Sequence, residues 1–168
     1  MGIVMIIVSP ICAVAGFIFK LYVDKFSKYQ TRVKENRIKE IEYKLKDFYF
    51  PLYTNLNNET IVTREFVNLK SNLVFEIEKF VLNGHVENQQ LIKKHMVKIN
   101  PEQSLKDLLI QYFDHITVYK LSHDIQQNDF NIFFITKTIP YPKDLFAKVT
   151  TEINKLRLEL DTLHNSIV

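Results

Sequence analysis

Five histidines and one cysteine are the residues of this chain best suited to metal binding, acid–base catalysis or nucleophilic attack. Their surroundings fit none of these uses, because the sequence has no His-Glu-x-x-His pair, no Gly-rich phosphate loop and no cysteine cluster. The dipeptides Asp114-His115 and His123-Asp124 are too short to specify a metal site. We therefore expect a non-enzymatic protein without metal or cofactor, whose histidines lie on the surface or cap helices: His85, His95, His115, His123 and His164.

Clustered cations are the second group of residues with chemical potential. Phosphate binding requires several positive charges close together, and aromatic side chains can stack on bases. The candidate contacts for an anionic ligand, such as a nucleotide or oligonucleotide, are Arg32, Lys34, Arg37, Lys93, Lys94 and Lys98. The competing explanation is a solvated helix face attracted to lipid headgroups, at about 1 kcal/mol per cation. Acidic residues interleaved with the N-terminal cations favour that explanation: Asp24, Glu35, Glu40, Glu42 and Asp47.

The N-terminal segment is the element that would position many of these cations. Residues 1–19 contain no ionisable side chain. About twenty apolar residues, at ~1.5 Å per residue, span the roughly 30 Å hydrocarbon core of a bilayer. We therefore expect a transmembrane helix over residues 1–23, a juxtamembrane helical stalk over 24–37 and a cytoplasmic α-helical bundle over 38–168.

The orientation follows from the cations that flank only the C-terminal end of the apolar segment, beginning at Lys20. The positive-inside rule then places the N-terminus outside and the C-terminal domain in the cytoplasm, which describes a single-pass protein of a bacterial inner membrane. A signal peptide cleaved after Ala13-Val14-Ala15 is the alternative. It is disfavoured because no positive residue precedes the apolar core and the core continues to Phe19.

Small residues in the apolar segment form a stripe on which another membrane helix could pack closely. In the stripe, Ser9, Ala13 and Gly16 fall at i, i+4 and i+7, and Cys12 lies four residues before Gly16. Such residues let helix backbones approach each other, so the stripe predicts homo-oligomerisation. The alternative explanation is that small residues are common in membrane helices, whether or not another helix packs on them.

The rest of the chain predicts an all-α fold, because 3 Gly and 5 Pro leave few loop-forming residues. We expect the stalk helix to enter the bundle and to end at Asn57-Asn58-Glu59. The chain should break again at Asn83-Gly84 and at Asn100-Pro101. Further helices are expected from about 60–63 to 83, from 86 to 97, from 101 to 122, and from Tyr141-Pro142 onward. Residues 124–142 fit a strand, a short helix or an extended segment.

Apolar residues that recur every three or four positions predict the buried faces of these helices. In the first bundle helix they are Ile38, Ile41, Leu45, Phe48, Leu52 and Leu56. In the next they are Phe66, Leu69, Leu73, Ile77 and Phe80, and in the fourth Leu105, Leu108, Leu109, Tyr112, Phe113, Ile116 and Tyr119. The last helix has a heptad seam that either closes the protomer's own bundle or joins another chain: Phe146, Val149, Ile153, Leu156, Leu160, Leu163 and Ile167.

One local motif places Pro51 inside a periodic helix, where proline frees a carbonyl one turn upstream and kinks the helix, and aromatic residues fill the kink. Leu45, Phe48, Tyr49, Pro51 and Leu52 resemble the Leu-x-x-Phe-Tyr-x-Pro-Leu signature of small bacterial and prophage helical proteins. The step Tyr141-Pro142-x-x-Leu145 is similar to the way such proteins enter their last helix. The resemblance implies a membrane-anchored α-helical bundle and carries no catalytic residues.

The layout of one membrane helix and a small cytoplasmic domain also resembles the membrane effectors of bacterial antiphage defence. Among these, the Hailong-type effectors are paired with a nucleotidyltransferase that makes an oligonucleotide signal. The sequence thus favours an oligomeric membrane effector or sensor of antiviral defence, with a channel or other membrane disruption controlled by the bundle. The expected partners are the lipid bilayer, further copies of the chain, and either a nucleotide or oligonucleotide signal or a partner nucleotidyltransferase system. The alternative is a membrane-tethered scaffold or regulatory module without pore activity.

Overall fold

The computed structural model describes the backbone of residues 2–66, 74–126 and 139–166, and the side chains of residues 16–62, 78–122 and 139–166. Every regular element in these ranges is helical, which confirms the all-α class. The elements are α1 (Gly2–Lys44), a π-helical turn (Leu45–Tyr49), α2 (Phe50–Phe66), α3 (Val74–Ile99), α4 (Gln103–Gln126) and α5 (Leu145–Asn165). Within the part of the chain whose side chains are described, no helix is both long enough and apolar enough to cross a membrane.

The chain divides into two compact units. The N-terminal unit comprises Met1–Ile41 and Leu160–Val168, and the bundle unit comprises Glu42–Glu159. In the bundle unit α2 packs against α3, and α3 packs against α4.

The π-helical turn joins α1 to α2 without an interruption of the helical backbone. Pro51 is the second residue of α2 and has no N–H to donate, so a regular α-helical hydrogen-bond ladder cannot continue through it. Just before it, the N–H of Phe50 bonds to the carbonyl of Leu45, five residues earlier. The wider turn lets Phe48 and Tyr49 both lie in the core, with ring centroids 5.0 Å apart in an edge-to-face arrangement.

The expected helix end at Asn57-Asn58-Glu59 is wrong, because α2 continues to Phe66. Glu59 follows Leu56 by three residues and lies on the same helical face, where it is buried. A buried polar residue therefore occupies the place where the composition predicted a loop.

The expected break at Asn83-Gly84, with a separate helix over 86–97, is also wrong. The single helix α3 runs through both positions. Its buried residues alternate in steps of three and four: His85, Asn88, Ile92, His95 and Ile99. Three of these five are polar, so hydrophobicity did not reveal the buried face. Phe80, expected in the core, is 48% exposed instead. It lies five residues, or about 140° of helical rotation, from His85.

The break at Asn100-Pro101 is confirmed, with Asn100 in the left-handed region at φ 45°. The helix after it, α4, begins and ends slightly later than expected, and residues 124–126 form its last turn. Residues 127–138 lie outside the described part of the chain. The expected core faces are confirmed at these buried positions: Ile41, Leu45, Phe48, Leu52, Leu56, Leu105, Leu109, Tyr112 and Ile116. The expected positions Phe66, Leu69, Leu73 and Ile77 have no described side chains.

The last helix begins at Leu145, whose N–H donates to the carbonyl of Pro142 over 3.0 Å. Three seam residues of α5 are buried within the protomer: Val149, Ile153 and Leu156. Phe146 stacks on Tyr53 of α2 with ring centroids 5.0 Å apart. This part of the seam therefore closes the protomer's own bundle. Leu160 and Leu163 are half-buried, and Ile167 lies outside the described residues.

Candidate functional site

The bundle unit contains a buried polar cluster built from three helices. Glu59 of α2, His85 and Asn88 of α3, and Tyr112 of α4 are all at least 94% buried. His85 Nδ1 lies 3.0 Å from Glu59 Oε1, and the Tyr112 hydroxyl donates to both carboxylate oxygens of Glu59 at 3.2 Å. Asn88 Nδ2 donates to the Tyr112 oxygen over 2.9 Å. The Glu59 carboxylate is thus the common acceptor that joins α2, α3 and α4.

Gly84 makes room for this carboxylate on the face of α3. A Cβ atom at position 84 would lie 3.1 Å from Glu59 Oε1 and 3.7 Å from its Cγ. Because that first distance is shorter than normal van der Waals contact, any larger residue would push the carboxylate away. The glycine that suggested a helix end therefore serves the close approach of two helices.

Aromatic rings enclose one side of the cluster. Within α4, His115 and Tyr119 lie edge-on to the His85 ring, at centroid distances of 5.8 and 5.1 Å. His115 Nδ1 donates to the carbonyl oxygen of Ile139 over 2.8 Å, which ties the chain before α5 to α4. Tyr141 then packs edge-on against both Tyr112 and His115.

The shifts in pKa show how far this region is removed from water. Burial, with the negative charge of Glu59 as the next cause, raises the pKa of Tyr112 far above its usual range. The same two causes raise the pKa of Tyr141. Burial lowers the pKa of His115, against an opposing effect of its hydrogen bond to Ile139. The phenols therefore stay protonated, so that Tyr112 remains a donor, and the His115 ring favours the neutral form.

A second polar contact lies at the end of α1. The Tyr43 hydroxyl is 2.7 Å from Nδ1 of His95, and Lys98 Nζ lies 3.4 Å from the centre of the Tyr43 ring. Burial, followed by the nearby charge of Lys94, lowers the pKa of His95. The expectation that histidines lie on the surface or cap helices is therefore wrong for His85 and His95, and His164 is exposed as expected.

A surface groove of about 360 Å³ lies between α2 and α3 beside the π-helical turn. Its lining residues are Pro51, Asn55, Glu87, Gln90, Leu91 and Lys94. Asn55 Nδ2 donates to Asn88 Oδ1 over 2.9 Å, so the groove wall is joined by one hydrogen bond to the buried cluster. The groove offers one cation, one carboxylate and two amides to a small polar ligand.

The candidate anion contacts belong to different units. Arg32, Lys34 and Arg37 lie on α1 in the N-terminal unit, where Lys34 donates to the carbonyl of Ser166 over 3.0 Å and Arg37 pairs with Glu40 at 2.9 Å. In the bundle unit, Lys93, Lys94 and Lys98 lie on the last turns of α3. Of these six, Lys94 lines the groove.

The small-residue stripe of Ser9, Cys12, Ala13 and Gly16 lies on the continuous helix α1. Of the four, only Gly16 has a described environment, and a Cβ there would meet nothing within 4 Å beyond its chain neighbours and the backbone of its own helical turns. Among the residues with described side chains, no group of three or more His, Cys, Asp or Glu is arranged to hold a metal ion.

Sequence reasoning identified Tyr112 as a core residue but missed the cluster, because Glu59 lay at an expected helix end, His85 beside an expected break, and Asn88 is polar. A signal was available in the spacing: Glu59 continues the series Leu52 and Leu56, and Asn88 continues from His85 toward Ile92. Comparison with known proteins finds no matching family model, no similar curated protein and no similar solved structure.

Proposed function

We propose that this protein is an oligomeric, membrane-anchored effector or sensor, acting in bacterial antiphage defence, whose helical bundle controls membrane disruption or channel formation by its N-terminal helices. The observation that carries the proposal is the continuity of α1. One helix extends from Gly2 to Lys44 and passes through the π-helical turn directly into α2. A change in the bundle therefore has a continuous helical connection to the apolar segment.

The exposed surface of α1 supports a membrane position for its first part. Phe17, Ile18, Phe19, Leu21, Tyr22 and Val23 are 45–70% exposed. Consecutive helical residues are about 100° apart, so these side chains cover about two thirds of the helix circumference, and Lys20 lies on the remaining side. A helix that is apolar over most of its surface is expected in lipid, and residues 1–15 before it carry no ionisable side chain. The cations from Lys20 onward support an orientation with the N-terminus outside and the bundle in the cytoplasm.

The ligand that controls the effector would bind to the bundle unit. The groove beside Pro51 holds Lys94, a cation that the sequence suggested for an anionic signal such as a nucleotide. Because Asn55 connects the groove to the buried cluster, an occupant there could influence the packing of α2 against α3. The same groove also favours the second candidate function, a membrane-tethered scaffold or regulatory module with no pore activity.

A test begins with the full-length protein in detergent, because one helix cannot line a pore by itself. We expect a defined oligomer by light scattering at micromolar concentration, and dye leakage from liposomes that contain the protein. Liposomes with an unrelated single-pass protein are the control. A monomer would contradict the effector proposal, and an oligomer that causes no leakage or cell toxicity would favour the tethered module.

A further inference from the structure

A stripe of exposed apolar residues runs along α1 beyond the proposed membrane segment. Phe19, Tyr22, Phe26, Tyr29 and Val33 are separated by three, four, three and four residues. All five are 46–70% exposed. This spacing is the a/d pattern of a coiled coil, with Phe19, Phe26 and Val33 at a and with Tyr22 and Tyr29 at d. We call these five residues the juxtamembrane seam.

The surroundings of the seam change at Asp24. Before this residue the sequence is apolar at nearly every position, with Lys20 as its one charged side chain. Between Asp24 and Asn36 the apolar side chains are Phe26, Tyr29 and Val33, all on one stripe, and polar residues cover the other sides. A helix surrounded by lipid needs no such restriction to one face. The pattern after Asp24 is that of a helix in water with a helical partner on one side.

Distance separates these residues from the lipid headgroups. Val33 follows Val23 by ten residues, or about 15 Å of helix, and Tyr29 follows it by about 9 Å. The headgroup layer on each side of the hydrocarbon core is roughly 5–8 Å thick. Tyr29 and Val33 therefore extend beyond the part of a membrane where aromatic residues serve as interfacial anchors.

The chain's own C-terminal end lies on another side of α1. Lys34 Nζ donates to the carbonyl of Ser166 over 3.0 Å. Lys34 is one residue past Val33, about 100° around the helix. Within the described residues, the contact with the end of α5 therefore leaves the seam exposed.

We propose that the juxtamembrane seam is the surface through which copies of this chain associate, as parallel helices of a coiled coil. The inference rests on the proposed function, because anchored copies enter the membrane in one direction and present their seams in register. An a/d pattern is complementary to itself in this arrangement. The next d position is Asn36, an exposed polar residue, so the apolar seam ends at Val33.

The seam also continues into the apolar segment, where Ala15 and Cys12 occupy the preceding d and a positions. Small residues there would allow the helices to converge within the bilayer.

At the flanking e and g positions lie Lys25, Gln30, Arg32 and Arg37, with no acidic residue among them. Assembly of identical chains should therefore strengthen at higher salt, as repulsion is screened, whereas binding to an acidic partner helix should weaken.

The test is cysteine cross-linking of the full-length chain in membranes. Tyr29→Cys and Val33→Cys each place a thiol on the seam, and Thr31→Cys places one about 200° from Tyr29 as the matched control, all with Cys12→Ser. A disulfide needs Cβ atoms roughly 3.5–4.5 Å apart, so only seam positions should form dimers efficiently. We expect at least fivefold more cross-linked dimer at a seam position than at residue 31, increasing with salt.

Equal cross-linking at all three positions would overturn the seam. If the wild type is an oligomer in detergent at the same time, the proposed function stands and the copies associate elsewhere. A monomeric wild type would contradict both proposals. Cross-linked dimer that decreases as salt is raised would overturn the arrangement in which the basic e and g positions of two copies face each other.

Discussion

Glu59 is the residue on which the buried hydrogen bonds of the bundle converge. Its carboxylate accepts from Tyr112 and lies 3.0 Å from His85 Nδ1. Neighbouring helices hold each of these groups in place, and none has access to water as a substitute. Removal of the acceptor would leave buried donors without a partner, which is more costly than the loss of an exposed contact.

Glu59→Ala should therefore destabilise the bundle by about 2–5 kcal/mol. Glu87→Ala is the matched control, because Glu87 is an exposed glutamate of the same region and its removal should change stability by about 0.5 kcal/mol or less. The measurement is denaturant unfolding of the detergent-solubilised chain, followed by circular dichroism. Similar losses for the two variants would show that the cluster does not stabilise the fold.

The lowered pKa of His115 predicts that acid destabilises the bundle. Burial is the main cause of the shift, so the folded state resists protonation that the unfolded chain accepts near its usual pKa of about 6.5. Stability is then fully present above that pH and decreases as the pH falls below it, by up to about 1.4 kcal/mol per pH unit for each such group. His95, whose pKa is also lowered, should add to the effect.

His115→Gln should reduce this acid dependence, since glutamine can donate to Ile139 but does not titrate. The free energy of unfolding, measured between pH 5 and pH 8, gives the slope. His164→Gln is the control, because His164 is exposed and its replacement should leave the slope unchanged. An unchanged slope in His115→Gln would assign the acid sensitivity to other groups.

At the scale of elements, the π-helical turn contains one residue more than the α-helical turn that it replaces. Deletion of Lys46, an exposed residue of that turn, should convert it to a regular α-helix and leave α1 and α2 in phase. Deletion of Thr54, an exposed residue of α2, should instead rotate the residues on one side by about 100° and remove Leu56 or Leu52 from the core.

We therefore expect the Lys46 deletion to retain a cooperative thermal transition, with a loss of a few degrees, and the Thr54 deletion to abolish it. Thermal unfolding followed by circular dichroism measures the difference. Loss of the transition in both variants would mean that the π-helical turn has a specific geometry that the fold requires.

The helices themselves show which parts of the structure the sequence could predict. Hydrophobic spacing identified the buried faces of α4 and α5, because nearly all the buried positions there are apolar, such as Leu109 and Val149. It failed at α3, where His85, Asn88 and His95 occupy buried positions. A buried polar residue is stabilised by partners on other helices, and a single sequence does not reveal those partners. The reasoning that located Tyr112 could also place Glu59 on the helical face of Leu52 and Leu56, but it could not identify the partners that stabilise the buried carboxylate.

At the scale of the whole molecule, α1 belongs to both units, since it continues past Ile41 to Lys44, and α5 likewise continues past Glu159 to Asn165. The uncharged first part of α1 and the last turn of α1 in the bundle contact different groups. In our proposal, lipid and other copies contact the first part, whereas Tyr43 contacts His95 and Lys98 in the bundle. Assembly and bundle stability should then respond to different substitutions in one helix.

Gly16→Leu tests this separation. A Cβ at position 16 meets nothing within 4 Å beyond its own helical turns, so a larger side chain should leave the bundle's unfolding transition unchanged. If helices of neighbouring copies approach each other along Ser9, Cys12, Ala13 and Gly16, the added volume should force them apart. We expect at least tenfold weaker association, measured as the shift from oligomer to monomer in detergent, with a parallel loss of dye leakage.

Phe17→Leu, a neighbouring apolar exchange that adds no bulk, is the control and should retain the oligomer. An unchanged oligomer in Gly16→Leu would exclude the small-residue stripe as an interface and leave the juxtamembrane seam as the surface that holds the copies together.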